Sequence, residues 1–185
     1  MLFRECRDLW AEAYALAFLS YEHATAGRPK QARDLALEGV QAASTTGDRG
    51  AESRALLGLG ASLLASGDID AAIKQFVSAL AIAKEIQDKY VEAQIMGLLG
   101  SAHLQQRAFP KAASWFEHQM VVAREIENLR YQGDAQFQWA LALDSVGERE
   151  RAIKLLHGSV DLLEETESPN AAQARQKLSQ WSRIT

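Results

Sequence analysis

Four histidines and one cysteine are the residues of this chain best suited to bind a metal ion or to act as a nucleophile. His23 and His103 lie far apart along the chain, and no HxxxH, HExxH or clustered Cys/His pattern occurs. Cys6 has no histidine at helical spacing that could activate its thiol. The sequence therefore predicts no metal site, no cofactor and no catalytic residue.

A glycine-rich stretch, Leu57-Gly58-Leu59-Gly60, invites comparison with a phosphate-binding loop. Such a loop needs a preceding strand, a following helix and a P-loop lysine, whereas this stretch falls inside a predicted helix. Close packing of small residues is therefore the expected role. Acidic pairs such as Glu164-Glu165 are expected at solvated helix ends and do not indicate a pair of carboxylates for acid–base catalysis.

Composition narrows the class of protein further. The 185 residues are 48% hydrophobic and 24% charged, with a net charge of −4, so no basic field favours nucleic acid or an anionic membrane. Basic residues are scattered and form no stripe with stacking aromatics. No apolar run is long enough to span a bilayer, and the first ten residues do not resemble a signal peptide. A cytoplasmic protein is expected.

The chain repeats itself every forty residues without a gap. Rows begin at Ala11, Ala51, Val91 and Tyr131. Small residues recur at the positions where helix backbones would approach, and large apolar residues recur where space must be filled. The clearest columns are Ala32, Ala72, Ala112 and Ala152; Ser20, Gly60, Gly100 and Ala140; and Ala36, Phe76, Phe116 and Leu156.

The pattern of each row predicts two amphipathic helices, separated by a turn that contains glycine, proline or an N-capping residue. The predicted helices span about 9–25, 29–45, 50–65, 69–86, 90–106, 110–127, 131–146, 149–165 and 170–182. A helix pair cannot bury its apolar face alone, so the fold class is an all-α, right-handed α-solenoid. Its expected parts are repeats at 11–50, 51–90, 91–130 and 131–170, then a capping helix at 171–185.

Residues 1–10 align with the end of the later rows, so they are expected to be the remnant of a preceding repeat helix. We expect the chain to be a piece of a longer array; an array with an eroded first repeat is the alternative. The apolar residues of this edge would lack a partner helix and would favour a homodimer. They are Leu2, Phe3, Cys6, Leu9 and Trp10.

The columns resemble the tetratricopeptide repeat, as in Leu59-Gly60, Gly67, Ala72 and Phe76. The forty-residue period is similar to that of arrays attached to bacterial signal-transduction ATPases, of large LuxR-type regulators and of kinesin light chain. Arg107 departs from the pattern in the turn-glycine column. The resemblance implies binding of a protein or peptide along the concave face lined by the first helix of each pair.

Projection of the first helices onto such a face predicts a groove in which Tyr21 and Phe137 are exposed aromatic anchors. The predicted groove residues are Tyr14, Tyr21, Arg54, Leu57, Gln94, Ser101, Asp134, Phe137 and Leu141. The expected function is a non-enzymatic interaction module, a sensor or scaffold part of a larger signalling protein. Two alternatives stay open: self-assembly through the N-terminal edge, and sensing of a small-molecule or peptide effector.

Overall fold

The computed structural model describes the backbone of residues 2–181 and the side chains of residues 9–181. This part of the chain forms an all-α array of helix pairs, as predicted, with nine helices and no strand. The helices are α1 (Leu2–Thr25), α2 (Pro29–Thr46), α3 (Arg49–Ala65), α4 (Ile69–Glu85), α5 (Lys89–Gln105), α6 (Phe109–Glu125), α7 (Leu129–Ser145), α8 (Arg149–Glu165) and α9 (Ala171–Trp181).

One turn geometry recurs every twenty residues, at half the repeat period. A residue with positive φ follows the end of each helix from α1 to α8 by one or two positions, and the N–H of the next residue donates to a carbonyl five residues back, as in Asp68 N to Leu63 O at 3.0 Å. Four of these turn residues are glycines, and the others are Gln87, Arg107, Glu127 and Glu167. The left-handed backbone conformation of this turn is thus kept at the four turns that have no glycine.

The side chain that follows the turn commonly caps the next helix. Asp48 and Asp88 accept hydrogen bonds from the N–H groups of Ala51 (3.0 Å) and Val91 (3.1 Å). Asn128 does the same for Tyr131 at 2.9 Å. These local signals explain why the predicted helix limits lie within two residues of the observed ones from α2 onward.

Replacement of Gln87 by glycine should stabilise the protein by about 1 kcal/mol, because a side chain strains the left-handed conformation that this turn needs at φ 58°. Urea unfolding followed by circular dichroism measures the effect. The control is Lys84→Gly, three residues earlier within α4, which should destabilise by about 1 kcal/mol. An unchanged or lower midpoint for Gln87→Gly would show that the turn is not strained.

The chain divides into two compact units, residues 1–95 and 96–185, and α5 contributes to both. In the first unit, α1 packs against α2 and α3, and α3 packs against α4. The backbones approach closely: a Cβ added at Gly58 would lie 1.8 Å from Ser20 Oγ, and one at Gly60 would lie 2.5 Å from Phe76. The glycine-rich stretch therefore has the predicted packing role.

The second unit has its core between α7, α8 and α9. Phe137, Leu156 and Leu163 are fully buried there, together with Trp181 of α9, which is 4% exposed. The guanidinium of Arg149 lies 4.9 Å from the centre of the Trp181 ring. The described part of α9 thus turns Ala174, Leu178 and Trp181 to the core; residues 182–185 lie outside the described residues.

The N-terminal segment differs from the expectation of a separate remnant helix. Helical structure continues from Leu2 to Thr25 without the turn that occurs at every later row junction. An uninterrupted helix satisfies the backbone hydrogen bonds of this segment locally.

Candidate functional site

A cleft of about 480 Å³ opens on the first unit. Helix α1 supplies most of its wall, α3 supplies part of its floor, and α5 closes one side. The lining residues are Tyr14, Ala15, Ala17, Phe18, Tyr21, Glu22, Arg54, Leu57 and Gln94. A volume of this size is in the range of pockets that hold a small molecule or a few side chains of a bound segment.

Three aromatic side chains line the cleft, because their spacing along α1 places them on the same side of the helix. Tyr14, Phe18 and Tyr21 are separated by four and three residues on α1. Phe18 is 64% exposed, and both tyrosines are half-buried. Below them, Leu57 and Ala17 are almost completely buried and form an apolar floor. The cleft therefore offers aromatic side chains to solvent above a packed base.

One end of the cleft is held by a charged network. Arg54 of α3 forms a 2.6 Å ion pair with Asp88 and lies 5.4 Å from the centre of the Tyr14 ring. Trp10 packs edge-on against the same ring, with 5.2 Å between ring centres. Because Asp88 compensates the positive charge of Arg54, this end of the cleft has no excess positive charge.

The Tyr14 hydroxyl is enclosed beside the start of α3. Burial, and then the negative charge of Asp48, raise the pKa of Tyr14 above its ordinary value, so the phenol is neutral throughout the physiological range. Glycine leaves room for this hydroxyl, since a Cβ on Gly50 would lie 2.5 Å from the Tyr14 oxygen and would require it to shift. The position of Tyr14 is therefore defined on several sides.

Five of the predicted groove residues meet at this cleft: Tyr14, Tyr21, Arg54, Leu57 and Gln94. Leu57 contributes as buried floor rather than as an exposed contact. The nine predicted groove residues do not include Ala15, Ala17, Phe18 and Glu22, which α1 also brings to the cleft. The unbroken spacing of Tyr14, Phe18 and Tyr21 on one helix side could have identified Phe18.

The predicted exposure of Phe137 is wrong. This side chain is 1% exposed and belongs to the hydrophobic core of the second unit, where α8 and α9 contribute large apolar residues. Leu141 is partly buried against the same core. Ser101 is half-buried, and its hydroxyl donates to the Gly97 carbonyl at 3.0 Å. The structure does not place these residues on a shared exposed surface of the second unit.

Asp134 is the remaining predicted groove residue, and its carboxylate accepts a 2.8 Å hydrogen bond from Asn170 Nδ2. Burial raises the pKa of Asp134, although the Asn170 hydrogen bond and the charge of Arg130 oppose the shift. Because the pKa of Asp134 is higher in the folded than in the unfolded protein, the protonated carboxyl favours the folded state. This contribution to stability is lost as the pH rises through the folded-state pKa.

Asp134→Asn should therefore raise the free energy of unfolding at pH 7. It should also make this free energy fall less than in the wild type when the pH rises from 4 to 7. The amide oxygen can still accept the bond from Asn170. Urea unfolding at pH 4 and pH 7 measures both effects, with the exposed Asp34→Asn as the matched control. Equal pH dependence in the Asp134→Asn variant and in the wild type would contradict the assignment.

The predicted self-association edge is described only in part. Leu9 and Trp10 are 37% and 53% exposed, whereas the side chains of Leu2, Phe3 and Cys6 lie outside the described residues. Dimerisation through this edge stays a prediction.

Within the part of the chain that the structure describes, no group of three His, Cys, Asp or Glu side chains is arranged to hold a metal ion. No helix within the described residues has both the length and the apolar character needed to cross a bilayer.

The chain is similar to known repeat proteins in sequence. Residues 51–125 match the family model of the tetratricopeptide repeat. Over 167 residues, which make up 90% of this chain, the sequence is 30% identical to the regulatory protein AfsR of Streptomyces griseus. The chain spans only 16% of the length of that relative.

Solved structures resemble the fold at lower sequence identity. Aspartyl phosphate phosphatase F from Bacillus subtilis matches with a TM-score of 0.79 and 17% identity, covering 96% of this chain and 47% of its own. A signal-transduction ATPase with numerous domains and a tetratricopeptide repeat sensor, from Pyrococcus horikoshii, matches with a TM-score of 0.76 and 21% identity. That match covers 98% of this chain and 28% of the ATPase.

Proposed function

Because residues 51–125 carry tetratricopeptide repeats, we propose that this chain is a non-catalytic interaction module that binds a protein or peptide segment in the cleft of its first unit. The observation that carries the proposal is the set of aromatic side chains presented above an apolar floor. Phe18 is 64% exposed, although it lies on the same side of α1 as Tyr14 and Tyr21. Exposed aromatic clusters of this kind are typical of binding surfaces.

The packing of the surrounding residues supports this use. The Tyr14 ring is held by Trp10 and Arg54, and the cleft floor is packed by Leu57. A bound segment would therefore displace water from a preformed surface and would not need to order these side chains first. Preorganisation of this kind lowers the entropic cost of association.

The wider role that we propose is that of a sensor or scaffold region within a larger cytoplasmic regulator. Similarity to a small part of a longer regulatory protein supports this view. A sequence with one cysteine also has no internal disulfide framework of the kind that small secreted domains use.

Site-specific photo-crosslinking in the native host tests the binding site. A photoreactive phenylalanine analogue at Phe18 should capture a protein partner, whereas the same group at Val77 should not. Val77 is 51% exposed on α4 and does not line the cleft, so it is a matched control. Equal capture at both positions would contradict a specific cleft.

Tyr21→Ala should then weaken binding of the captured segment by about 1–3 kcal/mol, because an interface aromatic of this type commonly contributes that much. Isothermal titration calorimetry with the purified segment measures the change, and Val77→Ala is the control. Unchanged affinity in Tyr21→Ala would remove the cleft from the interface.

Self-assembly is a second candidate, favoured by the exposure of Leu9 and Trp10 on α1. Sedimentation over a range of protein concentrations tests it directly. A dimer that dissociates in Trp10→Lys but not in Tyr21→Ala would support assembly through the N-terminal edge; a monomer at about 100 µM would exclude it.

A further inference from the structure

The uncompensated charge of the cleft is negative. Among the residues that line it, Arg54 is paired with Asp88, whereas Glu22 is exposed and forms no ion pair within the described part of the chain. Glu22 lies one helical turn beyond Phe18, so its carboxylate and the Phe18 ring share one side of α1.

Comparison with the next repeat shows how the surface formed by Phe18 and Glu22 differs from an ordinary contact between packed helices. Forty residues later, the equivalents of Phe18 and Glu22 are Gly58 and Ser62, which are buried by close packing. Gly58 approaches so closely that an added Cβ would lie 1.8 Å from Ser20 Oγ. A phenyl ring at the same position forbids such an approach.

Glu22 adds an electrostatic reason. A partner that covered Glu22 as completely as Ser62 is covered would bury the Glu22 carboxylate, and a buried carboxylate without a counter-charge carries a large desolvation cost. A partner that places a cation there removes this cost. The same cation gains from the face of an adjacent aromatic ring, which attracts Lys and Arg side chains.

We infer that the occupant of the cleft is a cationic apolar peptide segment, in which an apolar side chain lies on the Ala17–Leu57 floor and a neighbouring Lys or Arg crosses Phe18 to reach Glu22. This inference rests on the proposed function and specifies the partner chemistry of the same cleft. Charge complementarity selects this occupant over an acidic or a purely apolar segment.

Selection from a random heptapeptide phage library on the intact chain tests the inference. Wild-type protein should enrich peptides that join an apolar residue to a Lys or Arg, and Glu22→Lys should lose these peptides or enrich acidic ones. The matched control is Glu38→Lys, a charge reversal at an exposed position of α2 outside the cleft. A synthetic peptide from the wild-type selection should bind Glu22→Lys at least about tenfold more weakly by fluorescence polarisation.

Two further variants separate this inference from the proposed function. Ala15→Trp fills the cleft from an exposed position, whereas Ala11→Trp places the same ring one turn earlier on α1, outside the cleft. Binding that is lost only in Ala15→Trp but shows no preference for Lys or Arg overturns the inference and leaves the proposed function intact. Absence of any peptide that depends on the open cleft overturns both.

Discussion

Phe137→Ala is expected to lower the free energy of unfolding by about 3–5 kcal/mol, which is the usual cost of removing a buried phenylalanine side chain. The ring is 1% exposed in a core that also contains Leu156 and Leu163. Truncation removes its apolar contacts and leaves a cavity that the helix backbones cannot fill. Urea unfolding followed by circular dichroism, with Trp fluorescence as a second probe, measures the loss.

Tyr21→Ala is the matched control, because Tyr21 is a half-buried aromatic on the equivalent kind of helix in the first unit. Its effect on stability should stay within about 1 kcal/mol. If Phe137→Ala were as mild as Tyr21→Ala, the Phe137 ring would not contribute to the core, and its predicted role as an exposed anchor would return.

Gly60→Ala is expected to destabilise the first unit by about 1–3 kcal/mol through overpacking. The new methyl group would lie 2.5 Å from Phe76 Cε1, and the Phe76 ring is fully buried. This cost should exceed the gain of about 1 kcal/mol that alanine brings to a helix interior. Thermal and urea unfolding both report the net effect.

Another row of the repeat suggests a second substitution that should compensate for Gly60→Ala. Where the second row has Gly60 with Phe76, the fourth row has Ala140 with Leu156, and both members of that pair are fully buried. Phe76→Leu should therefore restore much of the stability that Gly60→Ala loses, although Phe76→Leu alone leaves unfilled space. Additive losses in the double variant would show that the two positions do not share one volume.

The helices and their turns could be predicted from the sequence because the forces that set them are local. A cap such as Asp68 bonds an N–H three residues later, and glycine at Gly67 permits the left-handed turn without strain. The forty-residue columns also located the close contacts, since Gly60 and Phe76 match in both spacing and volume. Tyr14, Tyr21 and Arg54, which the groove prediction grouped together, accordingly line one cleft.

The tertiary structure alone decided which apolar residues are covered. Phe137 and Leu57 occupy the same column, yet Leu57 forms the floor of an open cleft and Phe137 lies within a closed core. Helical periodicity gives the direction of a side chain relative to its own helix axis, but burial depends on what neighbouring helices place opposite it. The core that holds Phe137 also includes Trp181 of α9, more than forty residues later, and no local pattern carries that contact.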